Sequence, residues 1–294
     1  MFDLCCDRPV TSPSAHADPT SLRAVAEQLA AEAATFARQR RTEVFGAHPQ
    51  TGAVRAKSTP TDPVTVVDTE TERLLRDRLA QLRPGDPVVG EEEGGPAAGV
   101  SADAVTWVLD PIDGTVNFVY GLPAYAVSVA ARVGGVSVAG AVANISTGEV
   151  YSAGLGLGAQ VRDGEDRREL RCSAVSDLSM ALVGTGFGYS PQLRAAQAEL
   201  LAGLLPTVRD IRRIGSAALD LCLVAAGQLD AHYEHGLNVW DWAAGALIAA
   251  EAGAQVYWPR DDESGASLLM VAAPGIAEQL RDALDSSGGL AALP

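Results

Sequence analysis

Apolar residues at Leu22, Val25, Ala26, Leu29, Ala33 and Phe36 recur at spacings of three and four, the period of one helical face. The predicted helix opens at Pro19-Thr20-Ser21 and ends near Arg41, where Arg38, Arg40 and Arg41 suit the negative end of its dipole. A polar loop from Gly46 to Pro63 follows. A second helix is predicted after Asp68, with Thr69 and Glu72 as a capping box, Leu74, Leu75, Leu79 and Leu82 as its buried face, and Pro84-Gly85 as its stop. Val88-Val89 and residues 105–109 then read as strands. Residues 126–133 and 136–145 flank Gly134-Gly135 as the arms of a hairpin, and 149–152 continue the meander.

From about residue 181 the pattern alternates. Strands are predicted at 181–184, 208–214, 229–233 and 254–258, helices at 192–205, 217–226 and 240–251, and a strand and helix within 271–284. Two helices followed by strands, then alternation, define an α/β layered chain of two subdomains. The expected division is a tail over 1–19, an N-terminal α+β subdomain over 20–150 and a C-terminal α/β subdomain over 151–294. No low-complexity linker separates the halves, so they are expected to pack closely.

Charge changes the picture. Twenty-two basic against 37 acidic residues give 22 − 37 = −15 in 294 residues, a surface that repels nucleic acid and demands a bound cation if the substrate is anionic. The single lysine, Lys57, stands in the first polar loop. Four cysteines without metal-ligand spacing fit reduced thiols in the cytoplasm, and no signal peptide or membrane-spanning run is expected.

Unusual residues concentrate at Asp110-Pro111-Ile112-Asp113-Gly114-Thr115-Val116-Asn117-Phe118. A strand ends in an Asp, a Pro is expected to break it, and a second Asp follows before Gly-Thr opens a short helix. Two carboxylates in a tight turn can converge on a hard divalent cation, and the free N–H groups beside them can take an anion. Alone, such a turn reads first as an Asx turn with a helix cap, and other acidic segments change that. Three more acidic segments accompany it: Asp62-Pro63-Val64-Thr65-Val66-Val67-Asp68, Gly90-Glu91-Glu92-Glu93-Gly94 and Asn238-Val239-Trp240-Asp241-Trp242-Ala243-Ala244-Gly245.

This order of motifs resembles the inositol monophosphatase family of magnesium-dependent, lithium-sensitive sugar phosphatases, from about residue 21 to the end of the chain. The resemblance implies an αβαβα sandwich and hydrolysis of inositol monophosphate by a metal-activated water, with two or three Mg²⁺ ions. Glu91, Asp110, the Ile112 carbonyl, Asp113 and Asp241 look like metal ligands, Glu91 also facing a third, weaker site. Asp68 and Thr115, with Glu91, form the implied catalytic set. Asp113, Gly114, Thr115, Ser216, Ala217, Glu234 and Asp241 fall where the family holds phosphate and sugar, and Lys57 matches a supporting lysine. Glu93, where many relatives carry Ser or Thr, would add charge near the third site. Relatives are commonly homodimers, and that assembly is implied here too.

Phosphatases for histidinol phosphate, fructose 1,6-bisphosphate or 3′-phosphoadenosine share this chemistry and stay open, as does a regulatory binding protein of the same fold. Gly154-Leu155-Gly156-Leu157-Gly158-Ala159 matches a dinucleotide fingerprint, but polar residues follow it where a helix should, so a hairpin is expected. Gly184-Thr185-Gly186-Phe187-Gly188 lacks the Lys of a P-loop. His232 and His235 are read as surface or packing histidines at a strand end, and Cys222 as core.

Overall fold

The computed structural model describes residues 17–46, 52–95, 101, 103–259 and 266–294. The tail expected over 1–19 lies, for residues 1–16, outside this set. α1 (Pro19–Phe45) starts with Pro in its first turn, and the Asp18 carboxylate accepts from the Thr20 and Ser21 amides. It runs a turn past its predicted end at Arg41. Val44 is fully buried, and Arg41 donates to the Phe118 carbonyl, so the arginines tie the helix down instead of ending it.

The polar loop folds into a small hairpin of β1 (Val54–Ala56) and β2 (Pro63–Thr65), with Lys57 at the start of its turn. α2 (Val66–Leu82) begins before Asp68, correcting the predicted start. The capping box is Thr65 with Asp68, not Thr69 with Glu72. Sequence favours either pair; Val67 is fully buried and must already lie in the helix.

β3 (Val88–Gly90), β4 (Val105–Asp113), α3 (Thr115–Tyr120), β5 (Ala126–Val133), β6 (Val136–Asn144), β7 (Val150–Gly154), β8 (Ala159–Asp163) and β9 (Asp166–Glu169) follow. The strands β3 to β9 make a seven-stranded sheet in chain order, with only β3 parallel to its neighbour β4. Pro111 does not end the strand: β4 continues to Asp113 across a register slip against β5. The dinucleotide-like glycines form the β7–β8 hairpin, where Gly156 and Gly158 amides donate to Glu251.

β10 (Leu182–Thr185), α4 (Pro191–Leu204), β11 (Asp210–Arg212), α5 (Ala217–Ala225), β12 (Ala231–His235), α6 (Val239–Glu251), β13 (Gln255–Tyr257), β14 (Leu268–Ala272) and α7 (Ala277–Ser286) complete the chain. Their five strands form a mixed sheet in the order β11-β10-β12-β14-β13. β12 ends two residues later than predicted, so His232 and His235 both lie on it and both are buried, not at the surface.

The layers are α1 and α2, the seven-stranded sheet, α5 and α6, the five-stranded sheet, then α4 and α7. This is the αβαβα sandwich. Its middle layer is apolar on nearly every side because both sheets cover it: in α5 and α6, Ala218, Leu221, Cys222, Ala243, Ala244 and Ile248 are fully buried. Among the described residues no helix is long and apolar enough to cross a membrane.

Candidate active site

Asp110 and Asp113 are three residues apart, which in a regular strand puts them on opposite faces. The slip in β4 corrects this: Asp110 stands opposite Ser128 and Asp113 opposite Ala126, so β4 carries one more residue than β5 between these pairs. Both carboxylates then reach the same place, and Asp241 joins them from the first turn of α6. One oxygen of each of the three lies within 4.8 Å of the others.

Each carboxylate is held by the local fold. Asp110 Oδ1 accepts from the Ile112 amide at 3.0 Å. Asp113 Oδ2 accepts from Ser216 Oγ at 2.5 Å and the Ala218 amide at 2.7 Å, tying β4 to the start of α5. Asp241 Oδ2 accepts from the Asn238 amide at 2.6 Å. Burial pushes all three above the ordinary range, Asp113 to about 6. Glu91, Asp113 and Asp241 drive Asp110 up further, and Asp113 and Glu91 do the same to Asp241. Crowded hard oxygens whose negative forms repel one another fit a hard cation, which relieves that repulsion.

Glu91 sits in the turn after β3, whose shape depends on Glu72. The buried Glu72 carboxylate accepts from the Glu92 and Glu93 amides at 2.8 and 3.1 Å and pairs with Arg76. A Cβ at Gly90 would overlap that carboxylate, so a larger residue would displace Glu72 from the turn it shapes. Lys57 Nζ donates to Glu91 at 2.8 Å and Glu92 at 2.5 Å. Burial alone would lower the Lys57 pKa, but the two glutamates outweigh it and keep the amine charged. Glu93 turns away to Arg73 and Arg76.

Asp68 sits at the third position of α2, its Oδ2 accepting from the Thr65 amide and hydroxyl. Its Oδ1 lies 3.1 Å from Thr115 Oγ1, which is also 3.0 Å from the Ile112 carbonyl. Burial raises Asp68 to about 7 against the pull of Thr65, with Glu92 and Glu91 adding to the rise. Gly114, at φ 91°, caps α3, and the first N–H groups of that helix have no carbonyl behind them. A Cβ at Gly114 would press on the Ala124 and Gly215 carbonyls at 2.9 and 3.0 Å.

These residues open on one cleft of about 660 Å³, lined by Lys57, Glu91, Ile112, Asp113, Gly114, Thr115, Ser216, Ala217, Glu234 and Asp241. Asp110 and Asp68 stand just behind it, against Asp113 and Thr115. Sequence alone does not connect three supporting residues to the site: Glu72, which reads as a helix cap; His232, which reads as a surface or packing histidine; and Asp220. The pair Glu72 and Arg76, four apart on a helix, carried a faint signal; the other two carried none.

Anionic oxygens packed this tightly beside a hydroxyl–carboxylate pair suit a cation-assisted reaction on an anionic ester. In a five-layered sandwich of this kind, that class is the metal-dependent phosphatases. The chain belongs to the inositol monophosphatase family, whose model matches residues 18–286. It is 69% identical over 281 residues to the inositol-1-monophosphatase of Mycobacterium leprae (strain TN), covering 93% of this chain and 97% of that protein. It is 39% identical over 196 residues to the Nus factor SuhB of Vibrio cholerae, covering 66% of this chain and 71% of that one. The solved structure of Mycobacterium tuberculosis SuhB matches with a TM-score of 0.80 at 61% identity, over 93% of this chain and 99% of that chain.

Proposed function

We propose that this phosphatase hydrolyses inositol monophosphate to inositol and phosphate with Mg²⁺. The observation that carries the reading is the convergence of Asp110, Asp113 and Asp241 within 4.8 Å at the cleft. Relatives named inositol-1-monophosphatase, 66% and 69% identical, support the substrate. Glu91, Asp110, the Ile112 carbonyl, Asp113 and Asp241 would hold two ions, with a third at Glu91. Bound there, Mg²⁺ neutralises phosphate charge and makes the attacking water more acidic.

The chain's own residues supply the rest. A threonine hydroxyl has one proton and here two acceptors. With the Ile112 carbonyl among the groups that would hold a cation, the Thr115 hydroxyl would donate its proton to Asp68 and its oxygen would accept from the attacking water. Asp68, raised by its burial, is the base that receives the proton. The water oxygen bonds to phosphorus, its proton moves through Thr115 to Asp68, the ester P–O bond breaks, and the alkoxide takes a proton from solvent. The amides of Gly114 and Thr115 orient the phosphate, and Ser216, Ala217 and Glu234 face the polyol.

The test is phosphate release over a panel of monoesters with Mg²⁺: inositol 1-phosphate, histidinol phosphate, fructose 1,6-bisphosphate and adenosine 3′,5′-bisphosphate. The expected outcome is the highest kcat/KM on inositol 1-phosphate. A higher value on any other member refutes the substrate, and no release from any of them refutes catalysis and favours the regulatory reading.

A further inference from the structure

His232 and Glu234 are two residues apart on β12 and so share one face of its sheet. Glu234 lines the cleft, while His232 behind it is fully buried. Asp220, buried in the first turn of α5, reaches the same imidazole from the other side. His232 Nδ1 is 3.7 Å from Asp220 Oδ2, and Nε2 is 3.5 Å from Glu234 Oε2. Among the described residues, both imidazole nitrogens and Asp220 Oδ1 lack a hydrogen-bond partner. Buried polar atoms left unpaired are costly, so a line of them ending at the cleft requires a use that offsets the cost.

The neighbouring strand makes room for this line. β10 runs parallel to β12, with Gly184 beside His232 and Thr185 beside Tyr233. A Cβ at Gly184 would lie 3.1 Å from both Asp220 Oδ1 and His232 Nδ1, and one at Gly186 would overlap the Glu234 carboxylate. The glycines of the Gly184–Gly188 segment, which bind no nucleotide phosphate by motif, thus clear the volume that the acid–imidazole–acid line occupies.

We propose that Asp220 and His232 are positioning residues that hold the Glu234 carboxylate aimed into the cleft, where it accepts hydrogen bonds from substrate hydroxyls and sets the preference for polyol esters. Burial draws the imidazole down, but Glu234, Asp220 and Asp113 outweigh it and favour its charged form. In the sheet its neighbours are Gly184 and Val271, which carry no charge. An imidazole set between Asp220, which burial raises to about 7, and Glu234 turns the Glu234 oxygens toward the cleft, where they select hydroxyl donors and disfavour a second anionic group.

The inference rests on Glu234 meeting the polyol, as proposed above. The quantity read is the ratio of kcat/KM for inositol 1-phosphate to that for p-nitrophenyl phosphate, whose aryl group offers no hydroxyl. Glu234→Gln is expected to lower it about tenfold, the weight of one charge-assisted hydrogen bond. His232→Leu is expected to lower it by a similar factor, through KM more than kcat, with partial recovery in His232→Gln, whose amide can still donate to Glu234. The double variant His232→Leu/Glu234→Gln should be no worse than Glu234→Gln. If His232→Leu does not fold, Asp220→Asn carries the test, with a ratio lowered about threefold. An unchanged ratio in Glu234→Gln overturns the substrate contact itself. A lowered ratio there, with an unchanged ratio or equal losses on both substrates in the His232 and Asp220 variants, overturns only the positioning role.

Discussion

Removing the cation from this protein should leave it strained above neutral pH, and Asp68 provides the measurable part. Its carboxyl is buried and sits at about 7 in the folded chain, against 3.8 when exposed. A raised carboxyl favours the folded state while protonated, so the stabilisation is complete below 3.8 and is lost as pH rises through about 7. Between about pH 8 and pH 5.5 the metal-free protein should regain about 2 kcal/mol from this group alone. At about 2 °C per kcal/mol for a chain of this size, that is about 4 °C in Tm. His235, held low by burial, works in the opposite sense below 6.5. Ion-paired Glu27 and Glu32, held below 4.5, act only at lower pH. The assay is therefore a difference: Tm of wild type minus Tm of Asp68→Asn, both in EDTA, across that pH range. His235 cancels, and the difference should rise by about 4 °C on acidification. A difference independent of pH would refute the reasoning.

Asp110→Asn should cut phosphate release by more than about tenfold with the fold intact by circular dichroism, because replacing one of three crowded carboxylates by a neutral amide weakens the cation site; a smaller loss would remove Asp110 from the ligand set. The same variant should melt higher than wild type in EDTA at neutral pH, where wild type carries the repulsion. Millimolar Li⁺ should inhibit, and more strongly at saturating substrate, since a small hard cation competes for the all-oxygen site; equal rates in LiCl and KCl up to about 50 mM would exclude this. Gly90→Ala should lower Tm by several degrees and weaken Mg²⁺ binding by calorimetry, because a methyl group displaces the Glu72 carboxylate that shapes the Glu91 turn.

The apolar periods revealed the helices and most strands, since burial against the sheets imposes those periods directly. They misplaced what depends on contacts distant in sequence. Asp68 read as a residue preceding α2, because the Thr65 and Thr69 pairs look alike until Val67 is seen buried. Pro111 read as a strand breaker, yet the slip against β5 carries β4 through it. Lys57 read as a loop residue, although its turn belongs to a hairpin that faces Glu91. The acidic motifs were legible because their spacing is local to each turn. Asp220 and His232 were not, since a lone Asp in an apolar helix and a His in a strand acquire meaning only when α5 and β12 meet.

The middle helical layer has a consequence for synthesis. Asp110 and Asp113 emerge early, on a sheet whose strands pair with near neighbours, whereas Asp241 emerges 241 − 110 = 131 residues after the first of them. It reaches them only when α6 has slid between the two sheets. A nascent or half-folded chain therefore displays two of the three converging acids and cannot assemble the centre. Turnover becomes a gauge of completed molecules: any lesion that loosens the seating of α6, such as crowding Gly140 against Ala244, should cut the number of active molecules before it alters the rate of each one.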